Sequence, residues 1–252
     1  MKELLEWTKH LAEQAGDLTL RYFQTELAVE AKADQSPVTI ADKSAEEFLR
    51  HEIEARFPDD GIVGEEFGVK EGRSGRRWIV DPIDGTKSFI RGVPLYGTMI
   101  AVEVEGISRV GVIRFPPLGI TLSAASGLGC HANGARCQVS TTSTLAQASV
   151  MVTALNDMVK YLGEASLLRL LQRSSMQRTW GDCYGYLLVA GGHADAIIDP
   201  IMQIWDVAPL IPIIEEAGGI LTNTLGETDH LSHVVASNGI LHEEILEIFR
   251  NE

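Results

Sequence analysis

Apolar residues at the start of the chain recur at helical spacing. Leu4, Leu5, Thr8, Leu11, Ala12, Ala15, Leu18 and Tyr22 share one face of a 3.6-residue period and predict an amphipathic helix. Asp34-Gln35-Ser36-Pro37 is a polar break. A second helix is predicted from Thr39, where Thr39-x-x-Asp42 has capping-box form and Ala45, Phe48, Leu49, Ile53 and Phe57 give an apolar stripe. Pro58-Asp59-Asp60-Gly61 ends it. The period then shortens. Gly61-Ile62-Val63-Gly64 and Trp78-Ile79-Val80 read as strands, 98–104 and 109–115 as a hairpin about Glu105-Gly106, and 120–125 as another strand. Gly-rich turns over 127–134 fit the same sheet.

After about residue 140, strands alternate with helices. Strands are predicted at 148–154, 194–198, 219–222 and 233–236, and helices at 162–173, 184–191, 207–217 (ended by Gly218-Gly219) and 241–249. The pattern predicts an α+β half over residues 1–140, with an antiparallel sheet and the acidic motifs. An α/β half over 141–252 packs on it and completes a site between them.

The chain has 252 residues, 45% apolar and 22% charged, enough for a sizeable core. A net charge of −14 disfavours nucleic acid, whose phosphates call for a basic patch. Cys130, Cys137 and Cys183 form no C-x-x-C pair, so reduced thiols are expected rather than a disulfide framework. The acidic opening Met1-Lys2-Glu3-Leu4-Leu5-Glu6-Trp7 lacks a signal-peptide core, and no run approaches the ~18 apolar residues of a membrane span. A cytoplasmic protein off the membrane is expected.

The chemistry concentrates in Trp78-Ile79-Val80-Asp81-Pro82-Ile83-Asp84-Gly85-Thr86. An apolar strand runs into two aspartates set on a stiff turn by proline. Glu65, Asp81, the Ile83 carbonyl, Asp84, Thr86 and Asp206 together are the hard oxygen donors that Mg²⁺ takes. Gly85 and Thr86, ahead of a short helix from Lys87-Ser88-Phe89, offer backbone amides to a phosphate. Phosphate monoesters hydrolyse so slowly unaided that a metal-activated water is a fitting answer. Taken singly, each piece has a blander reading. Asp-Pro-x-Asp-Gly is a good turn, Glu65-Glu66 a solvated face, Asp206 a helix N-cap, and Asp42 the partner in its capping box.

Gly64-Glu65-Glu66, the 78–89 segment, Trp205-Asp206-Val207-Ala208 and Glu216-Ala217-Gly218-Gly219 together resemble the inositol monophosphatase family, over nearly the whole chain. The resemblance implies a layered αβαβα sandwich, commonly dimeric, that hydrolyses small phosphate esters with two to three Mg²⁺ ions. By position, Glu65, Asp81 and the Ile83 carbonyl would hold one ion, Asp81, Asp84 and Asp206 a second, and Glu65 a weaker third with Asp42 nearby. Thr86, with Asp42 or Glu65, would orient the attacking water, and the Gly85 and Thr86 amides would grip phosphate.

Gly64-Glu65-Glu66-Phe67-Gly68, Gly75-Arg76-Arg77-Trp78, Phe89-Ile90-Arg91-Gly92-Val93-Pro94 and Thr179-Trp180-Gly181-Asp182 are similar to the histidinol-phosphatase branch. Pro209-Leu210 departs from the Ala-Gly common in the family. Asp182 and Asp199 are the candidate partners of a cationic substrate, with a helix N-cap and an Asp-Pro turn as their structural alternatives. Arg77, Lys87 and Arg91 read as phosphate contacts or surface charge, and His131 and His193 as structural. The expected reaction is hydrolysis of L-histidinol phosphate. Inositol 1-phosphate or another sugar phosphate is the alternative substrate, and a metal- and phosphate-binding regulatory protein on the same fold is the non-enzymatic alternative.

Overall fold

The eight-stranded and five-stranded sheets each bury both faces, and the alternation along their strands decides which neighbour covers each face. The structure, a computed structural model, describes residues 1–32 and 37–250. The predicted break at Asp34-Gln35-Ser36 lies outside the described residues.

In chain order the elements are α1 (Lys2–Leu20), β1 (Glu30–Ala31), β2 (Pro37–Val38), α2 (Ile40–Arg56), β3 (Gly61–Gly64), β4 (Gly68–Lys70), β5 (Arg76–Asp84), α3 (Thr86–Phe89), β6 (Gly97–Val104), β7 (Ile107–Phe115), β8 (Ile120–Ala125), β9 (Gly129–Ala132) and β10 (Ala135–Arg136). They continue with β11 (Ser149–Val152), α4 (Leu155–Leu162), α5 (Glu164–Arg173), β12 (Met176–Arg178), α6 (Asp182–Ala190), β13 (Ala196–Asp199), α7 (Ile204–Val207), α8 (Leu210–Glu216), β14 (Ile220–Thr222), β15 (Val234–Ser237) and α9 (His242–Arg250).

The larger sheet has eight strands in the order β10-β9-β8-β7-β6-β5-β3-β4. The sequence predicts it as antiparallel, but β3 and β5 run parallel, because the chain between them crosses back through β4. The smaller sheet, β12-β11-β13-β15-β14, is also mixed. Trp78 and Val80 of β5, Ile100 and Val102 of β6, and Val110 and Val112 of β7 pack against Leu11, Ala15, Leu49 and Ile53 of α1 and α2. The intervening Met99, Ile113 and Phe115 face the opposite way, onto Tyr186 and Val189 of α6 and Ile213 of α8. Met151, Ile197, Val234 and Ala236 of the smaller sheet close that middle layer, while Val150, Val152, Ile198 and Val235 meet α4, α5 and α9. Helix, sheet, helices, sheet and helices thus stack as αβαβα.

Both opening helices form as predicted, and Thr39 and Asp42 exchange the two bonds of a capping box. Two predicted helices differ. The 207–217 helix is interrupted at Ala208-Pro209, where Pro209 becomes the N-cap of α8. The 162–173 helix starts at Glu164 and is preceded by a separate α4, because Gly163 has a left-handed φ of 82°. No described helix is long and apolar enough to cross a membrane.

Candidate active site

Residues Asp81 and Asp84 lie on one strand rather than on the predicted turn. β5 continues through Pro82, pairing Asp81 with Met99 and Asp84 with Gly97, so three steps on β5 oppose two on β6. The one-residue bulge accommodates a proline that has no N–H to give. It also decides the facing of the acids. Three residues apart in a regular strand they would point to opposite sides, and the extra residue restores them to one side.

Asp206 arrives from the other end of the chain. It is the third residue of α7, not its N-cap as one reading of the sequence has it. Its Oδ2 accepts the N–H of the capping residue Gln203 at 2.7 Å. α7 is held in place by Trp205, which packs with Val63, Ile79, Ala101 and Ala208, and by Ser108 Oγ, which donates to the Ala208 carbonyl at 2.6 Å. At Gly111 the backbone approaches so closely that a Cβ would sit 2.0 Å from the Pro209 oxygen. The result is that Asp81, Asp84 and Asp206 each offer a carboxylate oxygen within 4.8 Å of the others.

Each carboxylate is fixed by one backbone N–H. Ile83 donates to Asp81 Oδ1 at 3.0 Å, and Cys183 to Asp84 Oδ2 at 2.6 Å. Burial and the neighbouring acids raise all three. Asp81 goes well above its usual range through burial and the charges of Glu65, Asp84 and Asp206. Asp84 is pushed to about 7 by burial and Asp206, against the hydrogen bond from Cys183. Asp206 also reaches about 7, through burial and the charges of Glu65 and Asp199, against its bond from Gln203. None of the described ion pairs brings a lysine or arginine to any of the three, and the nearest cation bridge ends on Glu65 and Glu66. Three oriented oxygens that form no ion pair with a described lysine or arginine suit a hard divalent ion.

Around this cluster, Glu65, Asp81, Ile83, Asp84, Gly85, Thr86, Lys87, Asp182 and Asp206 line one cavity of about 440 Å³. Thr86 Oγ1 lies 3.0 Å from the Ile83 carbonyl and 3.3 Å from Asp42 Oδ1, and its single proton serves one of them at a time. Asp42 is buried and completes the capping box of α2, and it is absent from the cavity lining, which it meets through Thr86. Gly85 has a φ of 82°, and a Cβ there would come within 3.2 Å of Asp182 Oδ2. Asp182 is the first residue of α6 rather than its N-cap, with a left-handed φ of 49° and its N–H bonded to Thr153 Oγ1 at 2.9 Å. Burial and the charges of Asp84 and Asp199 push it to about 8.

Asp199 ends β13 inside the protein and is not in a surface turn. Its Oδ2 accepts the Tyr186 hydroxyl at 2.8 Å, and with Asp84, Asp182 and Asp206 it lines a smaller adjoining cavity of about 100 Å³. Arg77 pairs with Glu103 at 2.6 Å and Arg91 donates to the Lys87 carbonyl, so of these three cations Lys87 alone reaches the cavity. His131 and His193 are absent from its lining.

Sequence reasoning missed Lys32, Thr153, Cys183 and Tyr186. Tyr186 stands one helical turn after Asp182, a spacing that helical periodicity could have exposed. Lys32 carries no such signal. Its ammonium donates at 2.6 Å to both Glu65 Oε1 and Glu66 Oε1. Burial and Glu65 push Glu66 up to about 7 in spite of that bond. Glu46, fully buried, holds the turn from below by accepting the N–H groups of Glu66 and Phe67 at 2.7 and 3.1 Å, and it pairs with Arg50 at 2.8 Å. Glu46→Ala should therefore destabilise the protein by about 3 kcal/mol in chemical denaturation, because it strands a half-buried guanidinium and two amides. An effect below about 0.5 kcal/mol, the scale of a surface change, would remove Glu46 from this role.

The sequence pattern described as the inositol monophosphatase family matches residues 1–252. The chain belongs to that family. It is similar to the histidinol-phosphatase of Chlorobaculum parvum, at 49% identity over 216 residues that cover 85% of this chain and 83% of that protein. The histidinol-phosphatase of Mycobacterium tuberculosis is 39% identical over 243 residues, with 94% of each chain covered. Among solved structures, the extragenic suppressor protein suhB from Bartonella henselae superposes with a TM-score of 0.92 at 28% identity, covering 99% of both chains. Family membership and superposition both agree with the αβαβα sandwich expected from the sequence.

Proposed function

We propose that this chain is a Mg²⁺-dependent phosphate monoester hydrolase whose substrate is L-histidinol phosphate, cleaved to L-histidinol and phosphate. The observation that carries the hydrolase reading is the convergence of Asp81, Asp84 and Asp206 within 4.8 Å on one cavity with Thr86. Glu65, Asp81, the Ile83 carbonyl, Asp84 and Asp206 would hold two to three ions. Bound there, magnesium supplies the positive charge that phosphoryl oxygens need and makes a water nucleophilic near neutral pH. Thr86 Oγ1, held between Asp42 and the Ile83 carbonyl, orients that water together with Asp42 or Glu65. The N–H groups of Gly85 and Thr86 precede the first internal bond of α3, which runs from Ser88 to Gly85, and they take the phosphate oxygens. The family resemblance adds a homodimer, and a cytoplasmic setting is part of the same reading.

For the alcohol portion, support comes from relatives named histidinol-phosphatase and from the second group of acids. Asp182, half-buried, and Asp199, buried, flank the metal carboxylates and give the ammonium and imidazole of histidinol anionic partners. The test is kcat/KM for L-histidinol phosphate and inositol 1-phosphate on one Mg²⁺-loaded preparation. A preference for the amino-alcohol ester of about a hundredfold or more is expected. Asp182→Asn and Asp199→Asn should each raise KM for that ester by about tenfold and affect inositol phosphate less. Faster turnover of inositol 1-phosphate would replace the substrate, and equal losses on both esters would remove these two acids from recognition.

A further inference from the structure

Outside the lining of the active-site cavity, two cysteines lie on opposite sides of the β9–β10 hairpin. Its turn is Asn133-Gly134, with φ of 47° and 83°, and the ladder pairs Ala132 with Ala135 and His131 with Arg136. One step further the register sets Cys130 opposite Cys137, and the Cys137 N–H donates to the Cys130 carbonyl at 2.8 Å. Directly opposed residues of a hydrogen-bonded antiparallel pair have Cα atoms about 5.5 Å apart, near the middle of the range that a disulfide spans.

The two thiols are unequal. The Cys130 thiol hydrogen-bonds to the Cys137 sulfur, which holds Cys137 down at about 7, aided by the Arg136 guanidinium. That same bond, and burial, push Cys130 up. Cys130 is fully enclosed, whereas Cys137 keeps 6% exposure and lines a cavity of about 430 Å³ with Arg136, Tyr184, Leu188 and His193. A cation-flanked thiol on a cavity wall, with a fully enclosed thiol opposite it, has the arrangement of an attacking and a resolving cysteine. Cys183, the third thiol, lies beside Asp84, where burial and that carboxylate raise it.

We propose that Cys130 and Cys137 form a dithiol site that low-molecular-weight disulfides convert into an intramolecular disulfide. The Cys137 thiolate attacks one sulfur of the reagent RSSR, forming a mixed disulfide and releasing RS⁻. Cys130 then gives up its proton and attacks the Cys137 sulfur, expelling the second half as RSH. The protein loses two thiol hydrogens and one RSSR becomes two RSH.

The test treats the folded protein with bis(2-hydroxyethyl) disulfide, then denatures it, alkylates free thiols and maps the tryptic peptides. Arg136 lies between the two cysteines, so the expected product is peptide 115–136 linked to peptide 137–160, released by dithiothreitol, with Cys183 alkylated. In Cys130→Ser the reagent's half should remain on Cys137 as a lasting adduct. The treated native protein carries the conclusion even if that variant folds poorly. The proposal is overturned if Cys130 is found alkylated after treatment, if Cys137 of the native protein stops at the mixed disulfide, or if either thiol is linked to Cys183 or to a second chain.

Discussion

Asp84→Asn will lower kcat for phosphate ester hydrolysis at saturating Mg²⁺ by about a thousandfold or more, and it will leave the fold intact. Asp84 is one of three acids whose oxygens meet within 4.8 Å, and its charge is the part that asparagine removes. The amide oxygen of asparagine can still accept the N–H of Cys183, so α6 keeps its anchor on β5. Without metal, the wild-type carboxylate is one of several that repel each other in a buried place, and the neutral side chain relieves that repulsion. The variant should thus melt at or above the wild-type temperature in chelator, while its activity and its Mg²⁺ affinity, read by calorimetry, both fall. Turnover within tenfold of wild type, or wild-type activity that survives excess chelator, would defeat the metal mechanism.

The metal-free protein should lose stability as pH rises. Burial and mutual repulsion raise Asp84 and Asp206 to about 7 and Asp182 to about 8, far above the unfolded carboxylate range. Folding therefore favours their protonated forms. The stability this adds is complete below the unfolded pKa values and disappears as pH climbs through the folded ones. Each tenfold shift in proton affinity corresponds to about 1.4 kcal/mol. Asp84, Asp182 and Asp206 are only half-buried by surface area and share protons with one another, so the individual effects do not add. In chelator, Tm should fall by at least about 4 °C between about pH 5 and pH 8.5, and Mg²⁺ should restore most of the loss. A Tm that is flat with pH, or that rises over this window, would mean the acids do not crowd one another in the folded state.

Legibility followed the range of the interactions. α1, α2 with its capping box, and the β6–β7 hairpin at Glu105-Gly106 were readable because neighbours in sequence settle them. The two-residue strands β1, β2 and β10 were not, since such short ladders exist only through their partners. The acids Glu65, Asp81, Asp84 and Asp206 could be listed from type and spacing, but the bulge that turns Asp81 and Asp84 the same way depends on pairing with β6. Lys32 on Glu65 and Tyr186 on Asp199 are contacts across distant segments that no local pattern announces.

By itself the chain determined its amphipathic faces, its Glu105-Gly106 hairpin turn and its stock of hard oxygen ligands, because periodicity and residue chemistry are local properties. Tertiary structure alone decided that Asp206 meets Asp81 and Asp84. That meeting requires Trp205 to seat among Val63, Ile79 and Ala101, and the Pro209 backbone to close onto Gly111, and burial of apolar surface from both ends of the chain is what draws those segments together.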